Sequence, residues 1–273
     1  MKVARMCERV GMSRQNFYKA RRDHQRKQVD ERLVKELVNA ERALQPRLGA
    51  LKLHFMLREQ LLREGVKLGR DLFREVLRRQ DLLLEPLPKA PRTTNSAHSL
   101  PVFTNLIKDM ELSGPNQVWV SDITYIRTRD DFVYLSLITD KYSRKIVGYH
   151  LALTLTARDA LRALDMALLG LPEGAKPIHH GDRGCQYCSH EYVGCLRRNE
   201  LMISMTEQDH CAENAMAERV NGTLKNEYFL KNEFRNVAQA RRAVDEAVHL
   251  YNTRRPHRSL NLLTPEQVHG RAA

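Results

Sequence analysis

Residues 117–126, QVWVSDITYI, decide the fold. Alternate positions put Val118, Val120, Asp122, Thr124 and Ile126 on one face of a strand, a mostly apolar row that one carboxylate interrupts. FVYLSLITD (132–140) and KIVGYHLALT (145–154) are two more β-rich runs, separated by the polar turns RTRDD and KYSR. Connections that short predict an antiparallel meander. ARDALRALDMALL (157–169) has helical spacing. PIHHGDRG (177–184) reads as a short strand entering a loop, HEYVGCLRRN (190–199) as a helix and LMISMT (201–206) as a strand. A long helix through residues 212–229 and a final one from Asn236 to about Tyr251 follow. This order predicts an α/β layer sandwich with a mixed sheet.

The part before the strands is different. Val3, Met6 and Val10 share a helical face, Gly11 breaks it, and Ser13 is placed to cap RQNFYKARR. Arg14 and Lys19 lie on that second short helix of a helix-turn-helix pattern. A third helix is expected over 30–43, then ALKLHFMLREQLLRE (50–64) and DLFREVLRRQ (71–80) form another hairpin, in which Arg70, Arg74 and Arg78 recur every four residues. Such a row suits DNA phosphates; a solvated helix face fits the same pattern. Five of the ten prolines fall between Pro86 and Pro115, beside TTNSAHS, and mark a linker. The expected division is therefore 1–85 helical, 86–114 linker, 115–235 the α/β core, and 236–273 a C-terminal helix and tail.

Composition narrows the function. The 273 residues carry 45 Lys and Arg against 33 Asp and Glu, a net charge of +12. Residues 1–92 hold 23 basic and 12 acidic side chains, while residues 93–273 are nearly balanced at 22 and 21. A basic arm before a near-neutral body points to a polyanion such as nucleic acid. No apolar run approaches the roughly 18 residues of a membrane span. MKVARMCERVGMSRQ has no apolar signal core, and the five cysteines are an odd number, so the expected compartment is the reducing cytoplasm rather than an oxidising one.

Three carboxylates stand out. Asp122 lies mid-strand, Asp182 at the end of the fourth strand, and Glu218 on the long helix, where Asn214, Glu218, Asn221 and Lys225 make a polar stripe. Taken singly, each is ordinary surface chemistry. Converging, they would raise one another's pKa, a penalty that Mg²⁺ or Mn²⁺ with hard oxygen ligands removes. Two such ions would serve an in-line phosphoryl transfer.

The runs NQVWVSDITYI, HHGDRGCQY, AENAMAERVNGTLKNEY and YNTRRPHRSLNLLTPEQ, with 35 residues between Asp182 and Glu218, resemble the catalytic subunit of insertion-sequence-three-type bacterial transposases. These are DDE enzymes with a retroviral-integrase-like, RNase H-like core, and SRQNFYK with the PRLGALKLH hairpin resembles their helical segment. The resemblance implies that Asp122, Asp182 and Glu218 are catalytic and bind the metal ions. It implies that Lys225 meets DNA phosphate, and that Arg255 and His257 buttress the site or touch DNA. It further implies cleavage at the element's terminus, attack of the freed 3′-OH on a second phosphodiester, and action on double-stranded terminal repeats and target by a homo-oligomer in the bacterial cytoplasm, at the nucleoid. An upstream-frame helix-turn-helix protein, joined by frameshift, is the candidate fusion partner.

Departures from that pattern are Cys185 and Cys188 in place of small hydroxyl residues, Glu213 for Asp, and Arg219 after the catalytic Glu. None removes a metal ligand. A lone Cys185-Gln-Tyr-Cys188 with His190, Cys195, His210 and Cys211 nearby is a weak zinc pattern, and Trp119 is expected in the core. The competing functions are a catalytically silent DNA-binding regulator, which the basic arm fits equally well, and a plain RNase H-like nuclease, which needs neither that arm nor the YNTRRPHRSL tail.

Overall fold

The computed structural model describes residues 3–85, 100–207 and 213–272. The chain divides into two compact units at residues 86/87.

The first unit is all helical: α1 (Val3–Arg9), α2 (Arg14–Leu44), α3 (Ala50–Arg63) and α4 (Arg70–Arg79). Gly11 takes a positive φ of 63° at the turn, and the Ser13 hydroxyl accepts from Asn16 N at 3.2 Å to cap α2. Two helices expected separately, over 14–22 and 30–43, are one 31-residue helix. The residues between them contain neither Gly nor Pro, so nothing interrupts the ladder. Val34 and Val38 of α2 close over Leu53, Leu57 and Leu61 of α3 and Phe73, Val76 and Leu77 of α4. Arg42 Nη1 donates to Leu82 O at 2.7 Å and fastens the end of the hairpin to α2.

The second unit is built on five strands: β1 (Val118–Arg127), β2 (Phe132–Asp140), β3 (Ile146–Ala152), β4 (Ile178–Gly181) and β5 (Ile203–Met205). Their order is β3-β2-β1-β4-β5. The first three form the antiparallel meander, whereas β4 pairs parallel to β1 and β5 parallel to β4. The intervening helix α5 (Ala157–Leu169) is the crossover that a parallel pair requires; Thr156 and Asp159 cap it reciprocally. Trp119, Ile138, Ala163 and Leu164 pack with α7 (His190–Arg198) and the one-turn helix α6 (Cys185–Cys188) on one face. On the other, Ile126, Val133, Leu135 and Leu137 pack under α8 (Ala215–Glu227) and α9 (Val237–Thr253). A short α10 (Pro265–His269) ends the fold. Trp119 is core, as expected, with 1% exposure.

At Gly148 of β3, an added Cβ would sit 2.1 Å from the Ala163 carbonyl oxygen of α5. Backbone cannot yield as a flexible side chain does. Gly148→Ala is therefore expected to destabilise the α/β unit by about 3 kcal/mol, read as a lower urea midpoint with an unchanged slope.

Candidate functional site

Asp122 faces α8. Even-numbered residues of β1 point to that side, with Val120 against Ala217 and Ile126 against Val220 and Leu224. The parallel register pairs Val118 with Ile178 and Val120 with His180, and extending it two residues sets Asp182 opposite Asp122. β4 stops at Gly181, so Asp182 stands at a strand end, where sites of α/β sheets collect. Its loop is tight: Gly184 N donates to Asp182 Oδ1 at 2.9 Å, and Arg183 Nε donates to Thr206 O at 2.6 Å.

The electrostatics follow from this placement. Desolvation, then the charge of Asp182, pushes the half-buried Asp122 carboxyl up to about 7. Opposing that rise, Asn221 Nδ2 donates to Asp122 Oδ2 at 2.7 Å and Ile123 N donates to Oδ1 at 2.9 Å. Glu218 raises Asp122 more weakly and is itself exposed on α8. The expected polar stripe of α8 is thus not uniform: Asn214 and Asn221 are buried, Lys225 is half-buried, and Glu218 faces water. Asn214 Nδ2 donates to Ser121 O at 3.2 Å.

Asp122 in the middle of β1 and Asp182 just past the end of β4 are therefore neighbours, with the third carboxylate on the adjoining helix. Among the described residues no three His, Cys, Asp or Glu side chains lie close enough to hold an ion. In donor chemistry the set nevertheless fits a hard divalent cation. All three are carboxylates, Asp122 carries an unrelieved like-charge penalty, and Asn221 Oδ1 is buried with no partner among the described residues. The sequence gives Asn221 no role of its own; its one signal is its place one turn after Glu218 on the polar stripe.

Lys225 lies with its Nζ 3.9 Å from the centre of the Tyr125 ring. Burial lowers its pKa and the Asp122 charge opposes that fall, so the ammonium is in the field of the site. Arg255 and His257, for which buttressing and DNA contact were both expected, are 7% and 8% exposed. Arg255 grips Glu227 at the end of α8 with two hydrogen bonds of 2.8 and 2.7 Å, and its Nη1 donates to His257 Nε2 at 3.0 Å. Both side chains are thus buried and engaged within the fold. Arg14 and Lys19 on α2 and Arg70, Arg74 and Arg78 on α4 are exposed on the helical unit; Arg70 pairs with Asp71 and Arg78 with Glu75.

The histidines of HHGDRG serve the core. Burial pulls His179 down to about 3 and His180 to about 4; His179 Nε2 meets Tyr192 Oη at 2.9 Å and His180 Nδ1 meets Ser204 Oγ at 2.9 Å. Cys188 is buried, 3.6 Å from Met205 Sδ, with its thiol pushed up to about 11 by burial. It packs as an apolar group. His210 and Cys211 lie outside the described residues.

Two family models, both described as the integrase core domain, match residues 113–211 and 199–265. A 31 kDa insertion element IS600 protein of Shigella sonnei, itself uncharacterized, is 35% identical over 98% of this chain and 100% of its own length. Transposase InsF for insertion sequence IS3A of Escherichia coli K12 is 36% identical over 77% of this chain and 74% of its own. Among solved structures, a chain of the simian T-cell lymphotropic virus intasome, in complex with PP2A regulatory subunit B56 gamma, superposes with a TM-score of 0.50 at 20% identity, over 81% of this chain and 74% of that one. That likeness shows the integrase-type fold.

Proposed function

The chain belongs to the DDE transposases of IS3-type insertion sequences, and from that premise we propose that Asp122, Asp182 and Glu218 are its catalytic carboxylates, acting on the ends of its element. As a transposase it is a polynucleotidyl transferase. The observation that carries the assignment is Asp122: a carboxyl set mid-strand beside Asp182 and driven up to about 7 is costly unless a cation is bound there.

These residues would hold Mg²⁺ or Mn²⁺, two ions in the full reaction. When bound, the metal polarises the scissile phosphate and lowers the pKa of the attacking oxygen. The rest is the chain's own work. Asn221 keeps the Asp122 carboxylate in one rotamer through its 2.7 Å hydrogen bond. Gly184 N does the same for Asp182. Lys225, which feels the charge of Asp122, would supply positive charge to the passing phosphate backbone. Cleavage breaks one P–O bond with water as nucleophile and leaves a 3′-OH. Joining forms a new P–O bond from that hydroxyl and releases the hydroxyl of the strand attacked. Both steps are in-line displacements with no covalent protein intermediate.

The exposed arginines of α4 and the basic helical unit would hold the terminal repeats. A homo-oligomer would bring two ends together, with an upstream-frame helix-turn-helix protein as its fusion partner and the bacterial nucleoid as its place of action. The basic arm fits a catalytically silent DNA-binding regulator equally well, but no feature of the site favours that alternative. Among the described residues no helix is long and apolar enough to cross a membrane.

The test is the full chain with a 5′-labelled duplex carrying the terminal repeat of its own element. Nicked and joined products are expected with Mg²⁺, none with a chelator, and full recovery when Mg²⁺ is restored. Equal product with and without chelator would overturn the metal assignment.

A further inference from the structure

Tyr125 and Phe132 are large aromatic side chains left 48% and 41% exposed. They are diagonal neighbours on the first hairpin, since Tyr125 pairs with Tyr134 and Arg127 with Phe132. Their rings meet edge to face at 5.3 Å and 82°. Exposed aromatics in contact with each other are an expensive surface for a soluble fold and mark recognition sites.

Odd-numbered Tyr125 and its neighbour Phe132 lie on the sheet face opposite Asp122, and two features tie them to the carboxylates across the strand edge. Lys225 holds its ammonium 3.9 Å above the Tyr125 ring while feeling the Asp122 charge. β4 ends at Gly181, so among the described residues no strand pairs with β1 on that side between Asp122 and the bridge at Thr128, and the lysine reaches the ring past that edge. The hairpin end is also pinned: Phe234 N donates to Arg127 O and Arg129 N to Phe234 O, both at 2.9 Å, and Arg127 pairs with Glu233 at 3.1 Å. The segment that follows α8 thus fixes the end of the hairpin that carries the two rings.

Resting on the transposase reading above, we propose that Tyr125 and Phe132, with Lys225, form a stacking ledge for one unpaired nucleobase beside the phosphate being cut or joined. A ring face gives sequence-tolerant stacking, and a cation beside it takes the adjoining phosphate; these are the two components of single-strand recognition. The ledge holds the terminal base away from its complement, so that the strand end stays at the carboxylates between the two steps.

The probe is a terminal-repeat duplex with 2-aminopurine, or an abasic site, at the nucleotide next to the scissile phosphate. Wild-type chain is expected to quench 2-aminopurine on binding, and Phe132→Leu to abolish the quench. Phe132→Leu should weaken binding about tenfold on the intact duplex and not at all on the abasic one. Tyr125→Phe keeps ring and lysine contact and should match wild type. Additive losses from Phe132→Leu and the abasic site, or an unchanged quench, overturn the ledge. So does a change of assembly state in Phe132→Leu with DNA affinity intact, which would assign the rings to a protein contact. A wild-type chain that quenches but never joins tells against the transposase reading and not against the ledge.

Discussion

Asp122→Asn is expected to lower DNA joining by at least about 10³-fold, the rate equivalent of roughly 4 kcal/mol of lost transition-state stabilisation, while leaving terminal-repeat affinity within about twofold. The same substitution should stabilise the metal-free protein. Asp122 ionises near 4 in an unfolded chain, and desolvation with Asp182 raises it to about 7 in the fold. The folded state therefore holds its proton more tightly. The contribution of Asp122 to wild-type stability is greatest below pH 4, falls as pH rises to 7, and stays low above that. A rise of that size bounds the effect at about 4 kcal/mol. Asparagine does not titrate, so the stability of the variant relative to wild type should rise across that window, leaving the variant more stable than wild type at pH 8. Adding Mg²⁺ should raise the wild-type Tm and leave the variant unmoved. A variant that joins DNA at the wild-type rate, or one less stable than wild type at pH 8, contradicts the role given to this carboxylate.

How much of this is legible in the sequence depends on range. Asp122 announces itself because a carboxylate amid Val118, Val120 and Ile126 breaks a period-two pattern, and the meander is visible because its turns are short and polar. The capped helices are equally local: Thr156 with Asp159 starts α5 within the residues expected. What escapes is non-local. That β4 inserts beside β1 rather than at the β3 edge is a matter of crossover packing, and only that insertion brings Asp182 to Asp122. Asn221 looks like one more polar position on a helix face; its contact with a residue 99 positions away exists because α8 lies across the sheet. The length of α2 is hidden for another reason. Absence of a breaker is weak evidence for continuity, so two periodic segments read as two helices.

The Arg255 pair is the sharpest case of such a hidden contact, and removing one partner should cost the most stability. Glu227 is the last residue of α8, where the helix dipole disfavours a negative charge. Arg255, 28 residues on, offsets this with a two-pronged grip on the carboxylate, and burial of the guanidinium is outweighed by Glu227 so that its pKa rises. His257 stacks edge to face on Tyr251 at 4.8 Å and accepts from the same guanidinium. Arg255→Ala leaves a partly buried carboxylate without its cation, so a loss of about 3–5 kcal/mol is expected, measured by urea unfolding. Arg255→Lys should recover less than half, because a single ammonium cannot reproduce the fork. Arg255→Met combined with Glu227→Leu should recover most of the loss, since replacing both members removes the stranded charge that makes the single change severe. DNA binding supplies the independent readout. If Arg255 touched phosphate, the double variant would lower the slope of log affinity against log salt by about 0.9; a buttress leaves that slope where it was.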